Sequence, residues 1–352
     1  MKILHFLVTN RLSGAENVQL GILEALREKN QVYYVCPDGP VREFVERAGV
    51  NFVAADTESV SEIKRVYREI SPDIVHACDP RMSFKCALAG IPFIAHFHNN
   101  CPWMKKLSPN SLALLYTIKK AKAVITVSDS IEKEYIFRKA LRSKLNMLSN
   151  VVDSEKVIHL SKESFDREFD IVFVGRLNEQ KRPLLFLDFV KKLTEKFPNL
   201  TAVMVGEGEM AGEVKAYISE NKIDNVTLWG FEKNPYKIIK NSKINVFTSY
   251  YEGFGLVAVE SMILSKPVLG YPVGGLAKVV TPDSGFLCSS TEEMVENACR
   301  LLTDKALYEK LSAGAAENAK RFTDTAEYMR KIGEIYTSAL ETDADPADLI
   351  CD

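Results

Sequence analysis

Seven cysteines, odd in number and scattered with no C-x-x-C among them, are too irregular for a disulfide framework or a zinc knot. A reducing cytosol fits that usage. No 18 apolar residues run together anywhere, and the apolar run after Met1 is too short for a secretory leader. A cytoplasmic protein without a membrane span is expected. Repeats of fixed period and low-complexity tracts are lacking too, which argues against solenoids and fibrous arrays. The D-x-D pattern, able to hold a divalent ion against a phosphate, occurs only as "DAD" at 343–345, in an acidic ending with no strand before it. No resident metal is expected there.

The chain of 352 residues, 26% charged and 46% hydrophobic, is too long for one ordinary core and suits two domains. Its net charge is only -2, but residues 1–150 hold 21 basic against 15 acidic residues, and residues 101–150 alone hold 10 against 3. That excess is too local for a nucleic-acid footprint, and no nucleic-acid partner is expected. The basic stretch 103–123, with Trp103, Leu107, Leu112, Leu114, Leu115 and Tyr116 among five lysines, reads either as a solvated helix over a core or as a surface for peripheral contact with an anionic membrane.

Thirteen apolar strand-like runs alternate with amphipathic stretches, seven from "KILHFLV" to "KLNMLS" and six from "DIVFVG" to "GFLC". Near-continuous apolar strands between helices mean parallel sheets covered on both faces. The expected class is α/β, two doubly wound Rossmann-like domains facing across a cleft, at residues 1–165 and 166–340, with 341–352 a disordered tail. Residues 291–340, almost wholly helical, would close the second domain or reach back to the first. Ligands of such sheets bind beyond the carboxyl ends of the strands.

Several motifs fall at those ends. "YYEGFGLVAVESM" (250–262) sets Glu252 in a loop after a strand and Glu260 inside the following helix, with Gly253 and Gly255 between. Unpaired amides at the helix start suit a phosphate, the glycines let a ligand approach the backbone, and the two acids suit sugar hydroxyls. "VFVGRLNEQKRP" (172–183) leaves a strand at Gly175 and brings Arg176 and Lys181 into one loop, a fork and a point charge for phosphate oxygens. "VMVGEGEMAG" (203–212) superficially matches a dinucleotide fingerprint but follows the second strand of its half. Gly206 and Gly208 either line a nucleotide cleft or make an ordinary tight turn. Gly14, in "RLSGAEN", opens a helix after the first strand, as an anion-facing start or a plain turn. "AHFHNN" (95–100) puts His96 and His98 on one face of a strand, and His98, nearer the carboxyl end, is the better substrate contact. No third ligand joins them into a metal site.

These residues, in this order, resemble the retaining nucleotide-sugar glycosyltransferases of glycosyltransferase family 4, which have the GT-B fold. The resemblance runs from residue 1 to about 340 and is most specific in the E-x7-E pattern of Glu252 and Glu260 with its "EGFGL" core. It implies that Arg176 and Lys181 bind the donor diphosphate, with the amides around Phe254, Gly255 and Leu256. It further implies Glu252 on sugar hydroxyls, Glu260 on the ribose, His98 near the reacting sugar and Gly14 near the diphosphate. "SGAE" stands where relatives often carry paired glycines, and Val151 replaces a common glycine. The implied activity is metal-independent transfer of a hexose or N-acetylhexosamine from a nucleotide sugar, UDP-linked by family habit, to a carbohydrate or lipid-linked acceptor in surface polysaccharide or glycolipid assembly. No cofactor is implied beyond the donor substrate. A sugar-nucleotide epimerase and a non-catalytic nucleotide-sugar-binding protein are the competing readings.

Overall fold

The computed structural model describes residues 1–99 and 101–341. The "DAD" pattern and all of the expected tail except Glu341, which ends the helix Thr325–Glu341, lie outside the described residues.

Thirteen strands form where the apolar runs stand, in two parallel sheets. The first contains β1 (Lys2–Phe6), β2 (Gln31–Cys36), β3 (Asn51–Ala54), β4 (Ile74–Cys78), β5 (Ile94–Phe97), β6 (Ala123–Thr126) and β7 (Leu145–Met147), in the order β3-β2-β1-β4-β5-β6-β7. The second contains β8 (Phe169–Val174), β9 (Ala202–Val205), β10 (Val226–Gly230), β11 (Ser242–Phe247), β12 (Val268–Gly270) and β13 (Gly285–Leu287), in the order β10-β9-β8-β11-β12-β13. Each opens from an inner strand and then reverses direction, the doubly wound arrangement.

The inner strands are buried on both faces, which explains their near-continuous apolar runs. Along β8, Ile171 and Phe173 join Phe186, Phe189 and Val190 of the helix Pro183–Thr194 on one side, while Phe169 and Val172 meet Ile238 on the other. Helix starts follow local chemistry. Ser108 and Ser111 form a reciprocal capping box around Pro109, and Asp153, Ser290 and Asp304 each accept an amide of the turn they precede.

The chain divides into two compact units, Met1–Asn150 with the segment from Ala326 onward, and Val151–Thr325. This division departs from the expected one at 165/166 in two respects. Residues 151–165 join the second unit, because Val152 donates its amide to Phe322 and Asn234 donates to the carbonyl of Leu160. The last helix joins the first unit, where Tyr328, Ile332 and Tyr336 are buried.

Candidate functional site

In the second unit the chain leaves β8 toward β9 on one side and later returns to β11 on the other. The loops after β8 and β11 therefore open side by side at the carboxyl edge. Polar bonds join them: Tyr250 donates its amide to the Gln180 carbonyl at 2.7 Å, Gln180 donates its side-chain amide to the Tyr251 carbonyl at 3.0 Å, and the Thr248 hydroxyl reaches the Lys181 carbonyl at 2.9 Å.

That seam brings Lys181 to Glu252. The Lys181 ammonium donates to Glu252 Oε1 at 2.5 Å, and the Ser249 hydroxyl donates to the same oxygen at 2.5 Å. Glu252 is 6% exposed and Lys181 20%, so the pair is largely withdrawn from water. Arg176, by contrast, is exposed, and its guanidinium has no ion pair or hydrogen bond among the described residues. Gly255 adopts φ +94°, a left-handed conformation suited to glycine, directly before the helix Leu256–Ile263, which has no side-chain cap. The leading amides of that helix thus carry its positive end at the seam. Phe254 is buried with its ring edge-on to Phe322, so its side chain anchors the turn that precedes this helix.

Glu260 lies in the second turn of this helix and is 8% exposed. Burial pushes its carboxyl up to about 7, and the Tyr236 hydroxyl, 3.3 Å from Oε1, only partly opposes that. Near neutrality it can accept or donate a hydrogen bond. Gly206, at φ +137°, and Gly208 serve close packing: a Cβ on the first would lie 2.0 Å from the Gly175 carbonyl oxygen, and on the second 2.3 Å from that of Leu177. This tight approach holds the loop after β9 against the loop after β8.

Gly14 and His98 belong to the first unit. Gly14 opens the helix Gly14–Leu26 behind Ser13, whose hydroxyl donates to Glu16 instead of capping. His98 follows β5 and is buried, as is His96; their rings stack 4.0 Å apart, on one face as their spacing predicts. Both receive the side-chain amide of Gln19 at 3.0 Å. His98 donates its backbone amide to Asp79, which sits at φ +69° directly after β4 and whose carboxyl burial pushes up to about 7. Burial pulls the His98 imidazole down to about 3, so it is neutral at physiological pH.

A model of glycosyl transferases group 1 matches residues 155–321, and one of Glycosyltransferase Family 4 matches residues 12–156, so the two together run through both units. The chain belongs to glycosyltransferase family 4. It is 29% identical over 234 residues, 59% of its length, to an uncharacterized glycosyltransferase of Methanocaldococcus jannaschii, and it spans 57% of that relative's length. It is 23% identical, over 96% of each chain, to the Escherichia coli UDP-Gal:alpha-D-GlcNAc-diphosphoundecaprenol alpha-1,3-galactosyltransferase. The solved Anabaena HepE, in complex with UDP and glucose, superimposes with a TM-score of 0.84 at 18% identity, covering 96% of this chain and 100% of that one. The GT-B architecture implied by the family 4 motifs is the one these structures share.

Sequence reasoning missed several residues of the two clusters, each within its own unit. Ser249 and Gly275 escaped it; the latter donates its amide to the Glu252 carbonyl at 2.9 Å, and a Cβ there would lie 2.3 Å from the Gly253 oxygen. The paired glycines at 274–275 were the available signal. Asp79, Gln19, His76 and Tyr336 were missed as well, because single polar residues in apolar runs carry no periodic signature. Among the described residues, no group of three or more His, Cys, Asp or Glu side chains is placed to hold a metal ion, and no helix is long and apolar enough to cross a membrane. The basic stretch is split by the fold. Leu114 is buried, whereas Leu107, Leu112 and Tyr116 are 66%, 49% and 40% exposed, and Leu112, Tyr116 and Lys120 share one face of the helix Pro109–Lys120.

Proposed function

We propose that this protein transfers a sugar from a nucleoside diphosphate sugar, with UDP as the nucleotide, to an acceptor hydroxyl, with retention of configuration and without a metal ion. The carrying observation is the Lys181–Glu252 pair beside an uncapped helix start and an unengaged Arg176. The names of relatives, which act on UDP sugars and diphosphoundecaprenol-linked acceptors, support this donor and acceptor class.

In this reading the anomeric carbon–oxygen bond to phosphate breaks, positive charge grows on the sugar, and negative charge grows on the departing diphosphate. Arg176, Lys181 and the amides at Leu256 meet the diphosphate, and such preorganised charge is commonly the largest catalytic contribution. Glu252 holds sugar hydroxyls and Glu260 the ribose. The departing phosphate oxygen takes the acceptor's proton as the new carbon–oxygen bond forms on the same face, so no protein base is needed. His98, a neutral imidazole, offers a hydrogen bond to a hydroxyl of the sugar. A lipid-linked acceptor would be met at the membrane surface through Leu107, Leu112, Tyr116 and the lysines around them.

The test is a melting-temperature screen with nucleotides and nucleotide sugars, followed by product analysis with the stabilising donor in excess EDTA. Stabilisation by UDP and its sugars, with anomeric configuration kept in the product, is expected. Absence of turnover with every donor that binds would favour a non-catalytic sugar-binding protein, and a changed free nucleotide sugar without acceptor would favour an epimerase. Loss of turnover in EDTA, restored by magnesium or manganese, would overturn the assignment of the diphosphate to Arg176 and Lys181.

A further inference from the structure

Four of the chain's five histidines are buried in the first unit as a connected row. His5 of β1 and His76 of β4 are register partners, and both meet one hydroxyl, that of Tyr336 on the last helix, at 3.0 Å and 2.8 Å. His76 Nε2 lies 3.0 Å from His96 Nδ1, which also receives the Gln19 amide, and Gln19 continues to His98 Nε2.

The donor and acceptor roles along this row are mutually determined. With the Gln19 nitrogen facing both rings, His96 Nδ1 and His98 Nε2 must both be bare acceptors. His76 Nε2 then carries a proton, its Nδ1 accepts from the Tyr336 hydroxyl, and Tyr336 accepts from His5 Nε2. Reversing the Gln19 amide would invert every bond in the row and leave both hydrogens of its buried NH2 group unpaired. The orientation present leaves the Gln19 oxygen and the Nε2 proton of His96 without partners among the described residues, fewer stranded donors than the reversal, which also leaves a proton unpaired on His5 Nδ1. At its end stands His98 Nδ1, buried and with no partner among the described residues.

We propose that Tyr336, His76, His96 and Gln19 form a directional hydrogen-bond chain that fixes His98 as a single tautomer, its proton on Nδ1, ready to donate to a sugar hydroxyl. These are positioning residues. The claim rests on the role given to His98 above, but the tautomer can be measured without any reaction. It also gives the last helix, remote in sequence from every motif, a functional reason to join the first unit.

The experiment is nitrogen NMR of the full chain with 15N-labelled histidine, ligand-free, alongside kinetics with the donor sugar. In the unaltered protein, His98 is expected to show a protonated Nδ1 and a bare Nε2. Gln19→Glu, which replaces a donor by an acceptor, should move the proton to Nε2 and lower kcat/KM about tenfold, the effect of one lost hydrogen bond. Gln19→Leu should leave a mixture of tautomers, and Tyr336→Phe should release His76 from its single form while the fold persists. An Nε2-protonated His98 in the unaltered protein, or a tautomer indifferent to Gln19→Glu and Gln19→Leu, would overturn the proposal. If one Gln19 variant does not fold, the other decides. Turnover that survives with the tautomer unchanged leaves the transferase reading standing and removes only the chain, whereas a tautomer that switches in a protein without turnover does the reverse.

Discussion

Lys181 Nζ and Glu252 Oε1 lie 2.5 Å apart, and the Ser249 hydroxyl ends on the same oxygen. Both bonds engage Oε1 and neither engages Oε2. With no ligand bound, Glu252 therefore competes with a diphosphate for the lysine's charge. Glu252→Gln should release Lys181, so that nucleoside diphosphate affinity is held or tightened. Turnover should still fall by about 10², or roughly 3 kcal/mol of transition-state stabilisation. Calorimetry with the diphosphate and single-turnover kinetics check the two halves. A parallel fall in diphosphate affinity would mean that the pair acts as one binding unit.

Among the described residues Arg176 has no partner to release, and being exposed it leaves no buried charge behind. Arg176→Ala should thus leave the stability of the free protein within about 0.5 kcal/mol of its parent, while weakening the diphosphate far more than the nucleoside. Titration with both ligands measures the difference. Equal weakening would place Arg176 away from the phosphates.

Gly206→Ala offers a purely structural check on the same edge. The new methyl would lie 2.0 Å from the Gly175 oxygen at a positive φ, and the three nearest atoms are all backbone of Gly175. A loss of about 1–3 kcal/mol in urea unfolding is expected from overpacking alone. A variant as stable as its parent would mean that the loop after β8 shifts readily.

All thirteen strands were legible because each is a short apolar run flanked by polar turns, and parallel sheets bury both faces of such runs. Arg176, Lys181, Glu252 and Glu260 were legible because the strand ends they follow are legible. The unit boundary was not, since what assigns residues 151–165 is a set of distant bonds, such as Asn234 to the Leu160 carbonyl, that no local pattern records. The histidine row was hidden for the same reason. His5, His76 and His96 stand 71 and 20 residues apart and each reads alone as one polar residue in an apolar strand, while Tyr336, 331 residues from His5, reads as one aromatic on an amphipathic helix.

Membrane contact has its own test. Exposed Leu107, Leu112 and Tyr116 beside Lys106 and Lys120 should carry the protein down with vesicles rich in anionic lipid, less so as salt rises. Leu112→Ser with Tyr116→Ser should abolish sedimentation while leaving donor binding intact. Equal binding to neutral vesicles, or none to either kind, would assign these side chains to another partner or to solvent.

The buried histidines also set how the first unit responds to acid. Burial pulls His5 and His98 down to about 3, and His76 and His96 well below their ordinary range, whereas the unfolded chain takes up those protons near pH 6.5. Below that pH the unfolded state binds four more protons, so the stability these groups provide is complete above about pH 6.5 and is lost as the pH falls. Asp79 acts in the opposite sense, because burial lifts its carboxyl to about 7 and the folded state then binds one proton that the unfolded state does not. The net is three protons, a slope of about 4 kcal/mol per pH unit between roughly pH 6 and 4.5. The second unit has none of these buried histidines, and Glu260, raised to about 7, gives it a slope of opposite sign. Hydrogen exchange in urea should therefore show β1, β4 and β5 losing protection as pH is lowered from 6.5 to 5 while β8 and β11 keep theirs, and His98→Asn should flatten the first slope by about 1.4 kcal/mol per unit. Equal acid sensitivity in the two sheets would mean that the histidines are hydrated and titrate normally, and the directional chain ending at His98 would fall with them.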